Sequence, residues 1–197
     1  MLTHIRHSEK VFNMKRLLLI LIFTFSFQSW TNADDISDFQ IEGMSIGDSL
    51  LDHFSENEIK NINKTEYKWN NKFYQLTFDN SNFENYDAIK FQLKTNDNRY
   101  IIYSISGAAF MDISSCLDKR NVIFQDILEM FDNPETTDYG KRNHPSYKNT
   151  YTYDEYVSIG NDMISVSCYE FGIPDFADHL LVSVDTSEFN NFLNLPR

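Results

Sequence analysis

Glycine and proline are scarce in this 197-residue chain, six and four respectively, and cysteine occurs only twice. Apolar residues make up 42% of the chain and no long low-complexity tract occurs, so the chain as a whole is not read as disordered. Cations are also in short supply: 17 Lys and Arg stand against 29 Asp and Glu, a formal net charge of −12. A field of that sign repels phosphate backbones and anionic lipid, which disfavours nucleic acid and membrane surfaces as partners. The longest apolar run, Leu17 to Phe27, spans about eleven residues against the roughly 20 that cross a bilayer core. It is too short for a retained anchor. The glycine loops of nucleotide sites, the paired zinc histidines and the nucleophile elbow are missing as well.

What the short run does fit is a secretory leader. Met14–Ala33 places Lys15 and Arg16 ahead of the apolar residues and closes on Thr31-Asn32-Ala33, a small-x-small arrangement suited to signal peptidase. Residues 14–33 are therefore read as a signal peptide and residues 1–13 as an over-extended N-terminus, with Met14 the start. Residues 34–197 then form a single secreted α+β domain, periplasmic or extracellular. No cysteine follows the run closely, so neither a lipid anchor nor a stable membrane anchor after cleavage is expected. Residues 1–33 hold four of the cations and one acid, leaving 13 cations and 28 acids, a charge of −15 over 164 residues. That length suits one domain with a sizeable core. Cys116 and Cys168 both lie beyond the leader, and in an oxidising compartment they are expected to pair. Their bridge closes a loop of about 53 residues, for which the chain-entropy model gives about 4 kcal/mol. The rival reading, a catalytic thiol served by His53, His144 or His179, finds no support in the spacing.

Hydrophobic periodicity outlines the elements. Ser45 with Asp48 and Ser55 with Glu58 resemble capping boxes, predicting a short helix or helix pair across 46–61. Strict alternation predicts strands at 73–78, 88–94 and 100–106, the last two joined by turn chemistry at Thr95-Asn96-Asp97-Asn98. Phe124, Ile127, Leu128 and Phe131 follow the i, i+3, i+4, i+7 template of a helix over 115–131, stopped by Asp132-Asn133-Pro134. Polar residues 135–149 read as an exposed loop. A hairpin over 151–159 and 163–169, a strand at 180–184 and a helical turn at 187–195 complete the chain. The pattern implies an antiparallel sheet built from hairpins with helices packed on one face, and a degenerate helix-plus-three-strand duplication. Cys116 opens the long helix and Cys168 lies on an inward strand face, so the disulfide would staple one to the other.

Chemistry is harder to find. Asp79-Asn80-Ser81-Asn82-Phe83-Glu84 lacks the glycine of a calcium loop and has Phe83 at a ligand position. No histidine has metal-ligand spacing, so no metal and no cofactor is expected. A triad assembled from Ser104, His179 and Asp112 is no more specific than in other chains of this size. The one locally basic, aromatic segment of the acidic chain is Tyr139 to Pro145, and Tyr139, Lys141, Arg142 and His144 form a candidate partner-docking loop.

Ile41-Glu42-Gly43-Met44-Ser45-Ile46-Gly47-Asp48-Ser49-Leu50-Leu51 resembles the opening of an uncharacterised group of small exported proteins of AT-rich Gram-negative bacteria. Tyr100–Gly107, Asp138–Lys141 and Val166–Tyr169 echo the same group. The resemblance implies an exported α+β domain and transfers no catalytic residue. With it, the expected function is that of a non-enzymatic periplasmic or secreted binding or accessory domain, its partner an envelope protein or a small ligand. The alternative is a secreted hydrolase built from His179, His144 and nearby carboxylates.

Overall fold

Local chemistry sets the elements of the computed structural model, which describes residues 35–79 and 82–194. The segment 14–33 read as a leader, residues 1–13 and the middle of the calcium-like segment lie outside those residues. Ser45 and Asp48 do interact, the backbone N–H of Ser45 donating to Asp48 Oδ2 at 2.8 Å, but the contact closes a turn through Gly47 at φ +89°. The predicted helix over 46–61 is therefore shorter: a single 3-10 turn at Leu50–Asp52 precedes helix α1, Glu56–Asn61. Ser55 and Glu58 cap α1 reciprocally as the sequence implies. Strands β1 (Lys64–Glu66), β2 (Phe73–Asp79), β3 (Ala88–Lys94) and β4 (Ile102–Phe110) follow. Helix α2 spans Ile113–Met130 and is capped by Asp112. Strands β5 (Glu135–Asn143), β6 (Thr150–Ile159), β7 (Asp162–Phe171) and β8 (His179–Asp185) come next, and helix α3 covers Ser187–Leu193.

All eight strands join one antiparallel sheet in the order β1-β2-β3-β4-β8-β7-β6-β5. Each half is a helix followed by four strands, and the halves meet where β4 pairs with β8. The helix-plus-three-strand count thus gains one strand per half, and both additions are outer edges. Residues 135–149 are not the exposed loop that their polarity predicts: Glu135–Asn143 is strand β5, paired with β6 along its length. Only 144–149 remain a connection, so Tyr139, Lys141 and Arg142 are strand residues and His144 alone belongs to the loop.

One face of the sheet carries the core. Phe78, Phe91, Ile105, Val166 and Val182 meet Ile41, Leu50 and Ile59 from the N-terminal segment, and Phe124 and Ile127 from α2. The α+β arrangement, with α1 and α2 on this face, is the one the sequence implies. Cys116 and Cys168 are disulfide-bonded, with Cα atoms 5.9 Å apart, and both are fully buried. The bond fixes the first turn of α2 to the middle of β7.

The opposite face is dressed only at its ends. Phe73 lies on the other pleat of β2 from Tyr74, Leu76 and Phe78. It nucleates a second cluster with Phe189 and Phe192 of α3, packed by Tyr67, Trp69 and Tyr103. Glu188 holds α3 down through Lys72 at 2.9 Å and Lys94 at 2.8 Å. Beyond α3, this face of the central strands has no helix over it among the described residues.

Candidate functional site

Cross-strand register determines what that open face presents, because residues two apart on neighbouring strands share it. One row runs Thr77, Lys90, Ser106, Ser183, Ser165, Tyr156 across six strands. The row nearer α3 contains Gln75, Gln92, Ser104, Asp185 and Met163. On the other side, Ala88, Ala108, Leu181, Ser167 and Asp154 form the next row. Five serines and two alanines therefore floor the centre of the face, and the larger side chains around them make it a trough. Ser104, Ser165, Ser167 and Ser183 are buried although, beyond α3, no helix among the described residues lies over them.

Hydrogen bonds fix much of this surface. Ser183 Oγ donates to Ser106 Oγ at 2.9 Å. Tyr67 Oη donates to Gln92 Oε1, Gln92 Nε2 to Gln75 Oε1 and Gln75 Nε2 to Thr77 Oγ1, each at 3.0 Å. On the far bank, the buried carboxylate of Asp154 takes Arg142 Nη2 at 2.7 Å and Thr152 Oγ1 at 2.7 Å. The Asp154 contact raises the Arg142 pKa. A bulge between Asp138 and Gly140 takes Tyr139 out of the ladder. The Tyr139 ring then lies 4.1 Å from the Arg142 guanidinium carbon and edge-on to Tyr156 at 5.4 Å.

The end of the trough away from α3 is aromatic. Tyr169 and Phe171 of β7 and His179 of β8 stand nearly parallel, with Tyr169 and His179 centroids 4.8 Å apart at 9°. Phe110 closes on His179 from β4 at 6.0 Å. Tyr147 and Phe176, from the two flanking loops, meet each other at 5.1 Å and both touch Phe171. His144 joins through Tyr147 at 4.9 Å and Tyr169 at 6.1 Å. Six large apolar side chains stay exposed among the described residues, and Phe110, Tyr139, Tyr147 and Phe176 all border this face.

Protonation follows from the surroundings. Burial pushes the Tyr169 phenol up to about 12, so it stays a neutral donor. Burial, with Lys90 adding to it, lowers the His179 pKa. His179 Nδ1 lies 3.0 Å from the Ala177 carbonyl oxygen. A carbonyl only accepts, so Nδ1 carries the hydrogen and Nε2 keeps its lone pair. His144 has the other tautomer, since the backbone N–H groups of Ser146 and Tyr147 donate to its Nδ1 at 3.1 and 3.2 Å.

Asp185 faces the trough beside Ser104 and Met163. Loss of hydration pushes its carboxyl up to about 6 from 3.8, against a hydrogen bond from Ser104 that opposes the shift. The native state therefore binds this proton more tightly than the unfolded chain. The stability it gives is complete below about pH 4 and is lost as pH rises through 6. Asp185→Asn is accordingly expected to stabilise the fold at pH 8 and to change little at pH 4. At about 1.4 kcal/mol per pKa unit, discounted because Asp185 still meets water, the gain is about 2 kcal/mol. Urea unfolding at the two pH values measures it, and equal gains at both would contradict the assignment.

The residues singled out from sequence divide between the two sides of the sheet. Tyr139, Arg142 and His144 come to the open face, whereas Lys141, one pleat away from Arg142, points to the other. There Lys141 binds Glu170 at 2.9 Å and lies over the Tyr151 ring at 3.9 Å. His144 and His179 converge on the two sides of Tyr169, but Asp178 accepts from the Phe171 N–H at 2.7 Å and Asp154 is engaged by Arg142. Ser104, His179 and Asp112 do not form a triad: Ser104 pairs with Asp185, and Asp112 caps α2 through Ser115. No group of three His, Cys, Asp or Glu able to hold a metal occurs among the described residues. Scans against protein-family models, curated proteins and solved structures each find no match.

Proposed function

We propose that this chain is an exported, non-enzymatic binding module that engages its partner with the open face of the sheet. The observation that carries this reading is the joining of Phe110, Tyr147 and Phe176, all exposed, into one ring cluster at the end of that face. Contiguous exposed aromatic surface rimmed by polar groups marks interaction sites in soluble proteins. The leader sequence and the disulfide support a periplasmic or extracellular setting, and no described helix is long and apolar enough to cross a membrane. The resemblance to small exported proteins supports the same setting.

Site-specific photo-crosslinking in the secreting cell tests the reading. A photoreactive phenylalanine at position 176 is expected to give a discrete adduct. The same group at Val122, which is 60% exposed on α2, is expected to give none. Identical adduct patterns from both positions would overturn it.

A further inference from the structure

The open face combines tyrosine and serine in the manner of a protein-binding surface. Tyr139, Tyr156 and Tyr169 offer rigid amphipathic rings at low entropic cost, and the serine floor supplies small, adaptable hydrogen-bonding groups. A floor of short side chains between taller banks admits a protruding element and suits it better than a flat one. Charge adds the specific feature. Of the cations on this face, Lys72 and Lys94 are bound to Glu188 and Arg142 to Asp154. Lys90, at the β3 side of the trough between Thr77 and Ser106, has no ion pair among the described residues. Its charge is felt at His179, at the foot of the ring cluster. A half-buried ammonium group without a counter-charge, beside an aromatic wall, is complementary to a carboxylate carried next to an apolar side chain.

Resting on the open face as the binding surface, we propose that its occupant is a protruding loop of a folded protein. That loop seats an Asp or Glu carboxylate against Lys90 and lays a neighbouring apolar side chain on the Phe110–His179–Phe171 rings. The partner is thus acidic at its contact point although this chain is itself acidic. Long-range repulsion makes the encounter slow, and local pairing holds the complex.

A phage-displayed library of disulfide-closed loops, selected on the purified exported protein, supplies the probe. Selected loops are expected to place Asp or Glu within two positions of an aromatic or large aliphatic residue. Their affinity should fall about tenfold or more on Lys90→Gln and return on Lys90→Arg. It should also fall on the double change Phe110→Ser with Phe176→Ser, whose sites are exposed and leave the core intact. Loops lost on the double change but indifferent to Lys90→Gln would overturn the carboxylate contact and leave the open-face reading standing. Loops indifferent to both changes, or no enrichment, would overturn both. Binding of immobilised neutral glycans, blocked by the double change and insensitive to Lys90→Gln, would replace the protein loop with a carbohydrate.

Discussion

Removing the disulfide by the double substitution Cys116→Ala with Cys168→Ala is expected to lower stability by about 3–4 kcal/mol. The covalent link closes a sequence separation of 52 residues, and the entropy of that loop in the unfolded chain accounts for most of the effect. Both sulfurs are fully buried, so each alanine also leaves a small cavity that the sheet and α2 fill only in part. For a domain of this size the loss corresponds to about 6–16 °C in melting temperature. Denaturant unfolding of the oxidised wild type against the double variant measures it directly. An unchanged midpoint would mean that the contacts of Phe124 and Ile127 alone hold α2 on the sheet.

The second large effect comes from the one glycine in the middle of the sheet. Gly107 lies in β4 between Ile89 and Val182, on the face that carries the core. A Cβ built there would sit 2.6 Å from Cδ1 of the Tyr86 ring and 2.7 Å from two further ring atoms. Tyr86 is packed against the core, so moving the ring aside would give up that packing. Gly107→Ala is expected to cost about 2–3 kcal/mol by overpacking. Adding Tyr86→Ala should recover part of that cost, because the two sites share one contact. A double-mutant cycle by urea unfolding reads the coupling. Strict additivity would show that the ring is not what makes glycine necessary.

Most of the fold was legible because most strands have one buried face, and burial of one face produces the alternation that sequence reveals. The segments that were missed are instructive. Lys64–Glu66 and Glu135–Asn143 are the two edges of the sheet, exposed on both sides for nearly every residue, so their sequences carry no period. Reading 135–143 as a loop also hid the pleat, which sends Lys141 and Arg142 to opposite faces. Local composition singled out Tyr139, Arg142 and His144, which the structure brings to the open face. It was not enough to find the trough, because Ser104, Ser106, Ser165, Ser167 and Ser183 each look like ordinary outward polar residues on their own strands. Only register brings them into adjacent positions, and register between β4 and β8 is a long-range property.

That pairing gives the disulfide a second role. Ser106 and Ser183, hydrogen-bonded at the centre of the sheet, are 77 residues apart along the backbone. Through the Cys116–Cys168 link the shortest covalent path between them falls to about 25 residues, which lowers the closure entropy of the central pairing by about 1 kcal/mol. Oxidation therefore shortens the search by which the two halves find each other. A chain that folds before its thiols are oxidised must join its sheet at the middle by the longest route it has.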